Sequence, residues 1–285
     1  MANGILIVDK PRDWTSQDVV SKLRGVYHER RVGHGGTLDP MATGVLPVFL
    51  GRATRAVEFF EHAEKTYLAT LRLGVVTDTQ DTTGNVISRH EVTVTERDLR
   101  EVLTRFTGPQ QQLPPMYSAI KIGGKKLYEL ARSGKEVERK PRDITIFDLE
   151  LQNFDKNEAT LRVHCSKGTY VRTLCHDIGT ALGCGGCMSA LRRVEAGEYS
   201  ITQSIPLEEI VAHPAPESLL LPVDSLFAAY PPLEIAGAAQ CRCRNGADFW
   251  VKAPDGTYRI YGENQTFLAL AKVEKSKAKT IKSFF

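Results

Sequence analysis

No apolar run in this chain approaches the ~20 residues that a membrane-spanning helix needs; the longest, such as Gly4-Ile5-Leu6-Ile7-Val8, have the length of a strand. The N-terminus lacks a charged segment followed by an apolar one, so no leader and no membrane partner are expected, and the expected compartment is the cytoplasm. Neither G-x-x-x-x-G-K-[ST] nor G-x-G-x-x-G occurs, which leaves a phosphate-cradling nucleotide loop without support. The histidines His28, His34, His62, His90, His164, His176 and His213 form no H-x-x-x-H pair for a helical zinc site. Asp78-Thr79-Gln80-Asp81-Thr82-Thr83-Gly84 begins like a calcium loop, but the position that must hold a bidentate Glu is Arg89. A turn is expected there instead. Cys184/Cys187 and Cys241/Cys243, spaced C-x-x-C and C-x-C, supply four thiolates to zinc only if the fold joins them. Reduced thiols are the expectation, with no metal and no cofactor implied. A strong excess of one charge is missing too: the net charge is +3, so an anionic partner is indicated only where the cations cluster.

What is present reads as an ordinary globular protein. At 285 residues the chain exceeds one typical domain, and a main body with an appendage is expected. Residues 4–10 read as a fully buried strand. Thr15 or Ser16 then caps a helix with Val19, Val20, Leu23 and Val26 on its apolar face. Tyr67, Ala69, Leu71 and Leu73 alternate with Leu68, Thr70 and Arg72, which predicts a half-buried strand. Thr95-x-x-Asp98 matches a capping box, with a stripe of Leu99, Val102, Leu103 and Phe106 and a stop at Gly108-Pro109. Leu161, Val163 and Cys165 alternate again, and a helix carrying Val171, Leu174, Cys175, Ile178 and Leu182 follows, ending at Gly183. Strands and helices mix without a regular βαβ rhythm, so the fold class is α+β. Prolines recur from Pro206 to Pro232, where the domain boundary is expected: a main domain over 1–222 and a small β-rich one over 223–285.

Two segments carry candidate chemistry. Arg31-Val32-Gly33-His34-Gly35-Gly36-Thr37-Leu38-Asp39-Pro40-Met41-Ala42-Thr43-Gly44 concentrates glycines, a histidine and a carboxylate in one loop. Glycines let backbone approach a ligand, and the Asp-Pro step holds Asp39 extended. From composition alone, a plain glycine-rich turn with a solvated Asp fits equally well. Between about 114 and 143, Lys121, Lys125, Lys126, Arg132, Lys135, Arg139, Lys140 and Arg142 stand among Tyr117 and Tyr128. Such a basic insertion suits an RNA backbone, with tyrosines as stacking faces. Gly168-Thr169-Tyr170-Val171-Arg172 and Ser189-Ala190-Leu191-Arg192-Arg193 add Tyr and Arg at what read as helix boundaries.

Together, Gly4–Lys10 with Pro11, Val32–Gly44, Lys65-Thr66-Tyr67, Leu73-Gly74 with Thr77-Asp78-Thr79 and Gly84, Pro114–Ala119 with Lys121, Gly168–Arg172 and Leu191-Arg192-Arg193 closely resemble the bacterial TruB family of tRNA pseudouridine synthases, in order over roughly residues 4–200. The resemblance implies a catalytic domain with a central mixed, largely antiparallel sheet flanked by helices. The last domain resembles that family's short PUA-type RNA-binding domain. It further implies isomerisation of the uridine at position 55 in the T loop of tRNA, without a cofactor. Asp39 matches the family's catalytic aspartate, His34 the histidine that displaces the target base, Tyr67 the tyrosine stacked on it, and Arg172 the arginine paired with the aspartate. Tyr170 and Leu191 match active-site wall residues, and the basic insertion resembles the segment that closes over the T loop. The expected partner is the tRNA T stem-loop, and an enzyme that surrounds one RNA loop is expected to work as a monomer. A non-catalytic RNA chaperone on the same scaffold is one rival reading, and a synthase of the same family acting on another uridine or another RNA is the second.

Overall fold

The computed structural model describes residues 2–118 and 120–285, so Ala119 of the matched motif lies outside the described residues, as do the side chains of Lys121, Lys126 and Arg132. Its centre is a ten-stranded sheet. Along its main path the strands run Ile205–Pro206, Gly4–Lys10, Thr43–Leu50, Gly186–Ala196, Lys65–Leu73, Glu158–Cys165, Arg142–Asp155 and Gly108–Gln112. Two short strands, Val32–His34 and Tyr199–Ser200, pair off this path. The edge pairing of Gly4–Lys10 with Ile205–Pro206 is parallel, and so is the central pairing of Thr43–Leu50 with Gly186–Ala196. The other pairings are antiparallel, so the sheet is mixed and largely antiparallel, as the family resemblance implied.

Side-chain alternation assigns each strand's residues to two cores. From Gly4–Lys10, Leu6 and Val8 enter the larger core, while Ile5 and Ile7 enter the second. This explains why the segment reads as one unbroken apolar run. Among the described residues four helices close the larger core, the shortest being Leu207–Ala212 with Leu207 and Ile210. Ser16–Val26 is capped by Thr15, whose side chain accepts from the Asp18 N–H while Asp18 answers to the Thr15 N–H, and it buries Val19, Val20 and Leu23. Glu96–Thr104 carries the same capping box at Thr95 and Asp98. It ends at Thr104, before Phe106, and Gly108 already belongs to the edge strand. Val171–Ala181 buries Val171, Leu174, Cys175 and Ile178.

The second core joins the main sheet to the C-terminal part. There Ile5, Ile7, Phe49 and Phe60 meet Val223, Phe227, Leu270 and Phe284. The C-terminal part is a five-stranded sheet ordered Pro232–Glu234, Gly256–Tyr261, Phe267–Glu274, Lys277–Ser283 and Phe249–Trp250, with the helix Gly237–Arg244 packed on it. Its own core holds Cys243, Phe249, Ile260, Leu268 and Val273. Cys184 and Cys187 lie in the main domain and Cys241 and Cys243 on this helix. Among the described residues no group of three or more His, Cys, Asp or Glu is arranged to hold a metal ion. No described helix is long and apolar enough to cross a membrane.

One expectation is corrected here. Ser189–Arg193 lies inside the strand Gly186–Ala196, not at a helix boundary. That strand touches Thr43–Leu50 at Arg192–Thr43 and Arg193–Gly44, and the approach is tight. Gly44 has φ +102°, and a Cβ there would stand 2.1 Å from the Arg193 carbonyl oxygen. Gly44→Ala therefore meets both a left-handed backbone and a clash with main chain. It is expected to cost about 2 kcal/mol or more of stability. Thermal melting checks this, and an unchanged midpoint would mean that the two strands have room to part.

Candidate active site

The site forms where the two halves of the sheet join, and strand register decides which side chains reach it. Tyr67 stands opposite Arg193, and Ala69 opposite Leu191, between Lys65–Leu73 and Gly186–Ala196. Directly opposed residues share a face of the sheet, so Tyr67, Leu191 and Arg193 line the same wall. Lys65, two positions before Tyr67, joins them. All six residues singled out in the sequence, His34, Asp39, Tyr67, Tyr170, Arg172 and Leu191, line one cleft of about 570 Å³. Tyr117, Ser118 and Tyr128 of the basic insertion line it as well.

Asp39 sits in the loop between Val32–His34 and Thr43–Leu50, and both of its neighbours are pinned. The buried Ser16 hydroxyl donates to the Leu38 carbonyl at 3.2 Å and accepts from the Leu38 N–H at 2.9 Å. The Pro40 carbonyl accepts from the Asp13 N–H at 2.8 Å and from Lys10 Nζ at 3.3 Å. Lys10 is fully buried and also donates to the carbonyls of Pro11 at 2.8 Å and Trp14 at 2.6 Å. Burial lowers its pKa to about 8, against the pull of Asp13 and Asp39. Held at both ends, the loop fixes the Asp39 carboxylate before any ligand arrives.

Arg172, in the first turn of the helix Val171–Ala181, clamps that carboxylate. Its Nε stands 2.8 Å from Asp39 Oδ2, and its Nη2 donates to Oδ1 at 3.3 Å. Nη2 also donates to the Tyr117 carbonyl at 3.0 Å and Nη1 to the Thr79 carbonyl at 3.3 Å, with Asp81 Oδ2 3.5 Å from Nη1. Three guanidinium hydrogen bonds and two further carboxylate oxygens within 3.5 Å surround the planar fork, an arrangement open to Arg and closed to Lys. Burial pushes the Asp39 carboxyl above its ordinary value, opposed by Arg172, seconded by Asp81 and opposed again by Lys10. Desolvation wins that contest even though 35% of the side chain surface stays open toward the cleft. The guanidinium favours the anion, and burial sets the direction of the shift against it.

The other walls are equally fixed. Gln112, buried, holds the Tyr170 backbone from both sides: Nε2 donates to the Tyr170 carbonyl at 3.1 Å and Oε1 accepts from its N–H at 2.8 Å. His34 Nδ1 accepts from the Gly36 N–H at 3.3 Å, which puts the proton of the neutral ring on Nε2. Burial, with the neighbouring Arg193, keeps the His34 pKa below its usual value. Tyr67 is almost wholly buried, its phenol pKa is raised by burial, and its hydroxyl lies beside Arg193.

Sequence reading missed several residues that build this site. Asp81 belongs to the segment read only as a turn, and it is one: its Oδ1 accepts from the Thr79 hydroxyl at 2.8 Å and from the Thr83 N–H at 2.9 Å. The alternation of Asp and Thr signals a self-bonded loop, but its docking on Arg172 is a long-range contact that no local signal reveals. Gln112, Lys65 and Arg193 likewise acquire their roles only through strand register.

Comparison with known proteins places the chain in a family. A family model described as the N-terminal domain of TruB family pseudouridylate synthase matches residues 24–171. Another, described as the tRNA pseudouridylate synthase B C-terminal domain, matches residues 172–228. The tRNA pseudouridine synthase B of Azoarcus sp. (strain BH72) is 46% identical over 266 residues, covering 92% of this chain and 88% of the relative. That of Clostridium kluyveri is 40% identical over 291 residues, covering 99% of each. Among solved structures, the fold is similar to a chain in the crystal structure of a Cbf5–Nop10–Gar1 complex, with a TM-score of 0.74 and 27% identity over 100% of this chain and 85% of that one. It is also similar to a chain of an H/ACA RNP bound to a substrate RNA containing 2′-deoxyuridine, with a TM-score of 0.73 and 25% identity over 100% and 86% of the two chains.

Proposed function

The chain belongs to the TruB family of pseudouridylate synthases, and from that premise we propose that it isomerises the uridine at position 55 in the T loop of tRNA, with Asp39 as the catalytic carboxylate. The observation that carries the assignment to Asp39 is the two-point clamp of Arg172 on a carboxylate set at the floor of a cleft walled by Tyr67, Tyr170 and Leu191.

The reaction breaks the N1–C1′ bond of uridine, turns the uracil, joins C5 to C1′ and releases the proton from C5. It is redox-neutral and needs no outside reagent. An ionised Asp39 acts on the ribose, as the carboxylate nucleophile of a retaining glycosidase acts on its sugar or as a base toward a sugar proton. Either role requires the anion, so activity rises with pH through the elevated pKa of Asp39.

A uridine within a folded loop must first leave its stack, at roughly a few kcal/mol. Stacking on Tyr67 returns about 1–3 kcal/mol. His34 takes the space the base vacates, and Tyr170 and Leu191 hold the flipped uracil edge-on. The exposed Lys125, Lys135, Lys140 and Arg142 of the 114–143 segment meet the T-loop phosphates, and that segment closes over the bound loop. The small C-terminal domain acts as a PUA-like RNA-binding module. The cleft's walls come from one chain, so a monomer suffices, working in the cytoplasm where tRNA is made.

The test is release of tritium from a tRNA transcript labelled at C5 of its uridines. One label released per tRNA, lost when the T-loop uridine is replaced, is the expected result. A transcript that binds and keeps all its label would refute the assignment.

A further inference from the structure

Arg172 has two carboxylates, yet the opposite wall of the cleft holds two cations with none. Lys65 is 8% exposed and Arg193 1% exposed. Lys65 Nζ donates to the carbonyl of Ala63, Arg193 Nε to that of Val45 and Nη2 to that of Gly36, and Arg193 also meets the neutral Tyr67 hydroxyl. Among the described residues neither has a carboxylate partner. Two like charges, buried and unpaired side by side, cost stability, and an anion entering between them offsets that cost. Burial, then Arg193, lowers the Lys65 pKa to about 8.

The backbone between them is open. Gly36, at φ +127°, has no side chain, and the point where a Cβ would sit is 3.6 Å from Arg193 Nη1 and 4.0 Å from Lys65 Cε. Apart from Gly36's chain neighbours, no other described atom lies within 4 Å of that point. The slot borders the cleft, beside the imidazole of His34.

We propose that Lys65 and Arg193, with the open backbone at Gly36 between them, form a phosphate subsite that takes a phosphodiester flanking the flipped uridine. The assignment to that nucleotide rests on the function proposed above; the anion site itself does not. A guanidinium and an ammonium converging on one point suit a tetrahedral anion with several acceptor oxygens. Held there, the phosphate anchors the nucleotide's backbone on one side of the cleft while its ribose faces Asp39 on the other.

Two measurements test this. In the first, the wild-type protein with isotope-labelled lysine is titrated by NMR in inorganic phosphate and in chloride at matched ionic strength. Phosphate is expected to raise the Lys65 pKa above about 8, because an anion favours the charged amine. Identical curves in the two salts would mean that no anion site exists, whatever the protein does to RNA. In the second, each phosphodiester flanking the target uridine is replaced in turn by a neutral methylphosphonate. At one of them, wild-type binding is expected to fall roughly 10- to 100-fold. Lys65→Gln is expected to lose a similar factor on unmodified RNA and nothing further on the modified RNA, while Lys65→Arg keeps most of the affinity. Losses that multiply at both flanking positions would remove the assignment to this nucleotide, even where the phosphate titration is positive.

Discussion

Asp39→Asn is expected to abolish tritium release, by at least about 10⁴-fold, while tRNA binding stays within a few fold of wild type. The size of the effect follows from the chemistry. The amide is nearly isosteric but carries no charge and neither attacks C1′ nor accepts a sugar proton, and of the two carboxylates that line the cleft among the described residues, Asp39 and Glu61, only Asp39 is paired with Arg172. The selectivity follows from geometry, because Lys10, Ser16 and Asp13 hold the loop through the backbone of Leu38 and Pro40 and do not touch the substituted side chain. Folding should not suffer either. A carboxyl whose pKa is raised on folding destabilises the folded state at every pH above its unfolded value, and that penalty disappears as the pH falls below it. Asn never carries the penalty, so the variant's melting temperature at neutral pH should equal or exceed that of wild type, with the difference vanishing in acid. A variant that melts early and loses binding would mean that Asp39 holds the loop together and would leave the catalytic role without support.

Much of this site was legible because its parts are local. The loop from Gly33 to Gly44 announces itself through glycines around His34 and Asp39. The period-two run at 67–73 places the strand that carries Tyr67, and the stripe of Val171, Leu174, Cys175 and Ile178 places the helix that Tyr170 precedes and whose first turn holds Arg172, while the two capping boxes place other helices on the larger core. What escaped was set by tertiary pairing. The strand Gly186–Ala196 is rich in Ala, Leu and Arg, all good helix formers, and register shifts at Met188/Ala190 and Arg193/Glu195 interrupt its alternation. It is a strand because two neighbouring strands offer it hydrogen-bonding edges, and no local preference says so. Pro47 obscured the segment Val45–Leu50 in the same way, since proline seldom occupies a central strand. Its carbonyl accepts from Gly35 and so points away from the strand Gly4–Lys10. In an extended strand a residue's nitrogen faces the same way as its carbonyl, so the missing N–H faces Gly35, just past the end of the short strand Val32–His34, and no bond to the strand Gly4–Lys10 is lost. Lys65 and Arg193 lie far apart in the chain and meet only through the sheet's register, which is why their unbalanced charge could not be seen before the fold was.

Arg172→Met tests the other half of the clamp and should separate charge from packing. The Met stem replaces much of the Arg stem, but Asp39 and Asp81 are left facing each other without the cation between them. Removing one partner of a buried ion pair costs about 3–5 kcal/mol; with Asp39 partly open to solvent, the lower end of that range is the expected loss, read by thermal or denaturant melting. The pH profile is the sharper measurement. Arg172 is the strongest influence holding the Asp39 pKa down against burial, so its loss moves that pKa further up. The acid limb of kcat/KM should therefore shift to higher pH, with activity near pH 7 falling roughly 10²- to 10³-fold and part of it returning in alkali. Arg172→Lys restores the charge without the planar fork, and should recover the position of the limb better than its height. The double variant with Asp39→Asn has one uncompensated carboxylate fewer and should melt higher than Arg172→Met alone, although it is inactive at every pH. An acid limb that stays in place in Arg172→Met would show that the limb does not report Asp39, and with it the requirement for an ionised carboxylate would lose its support.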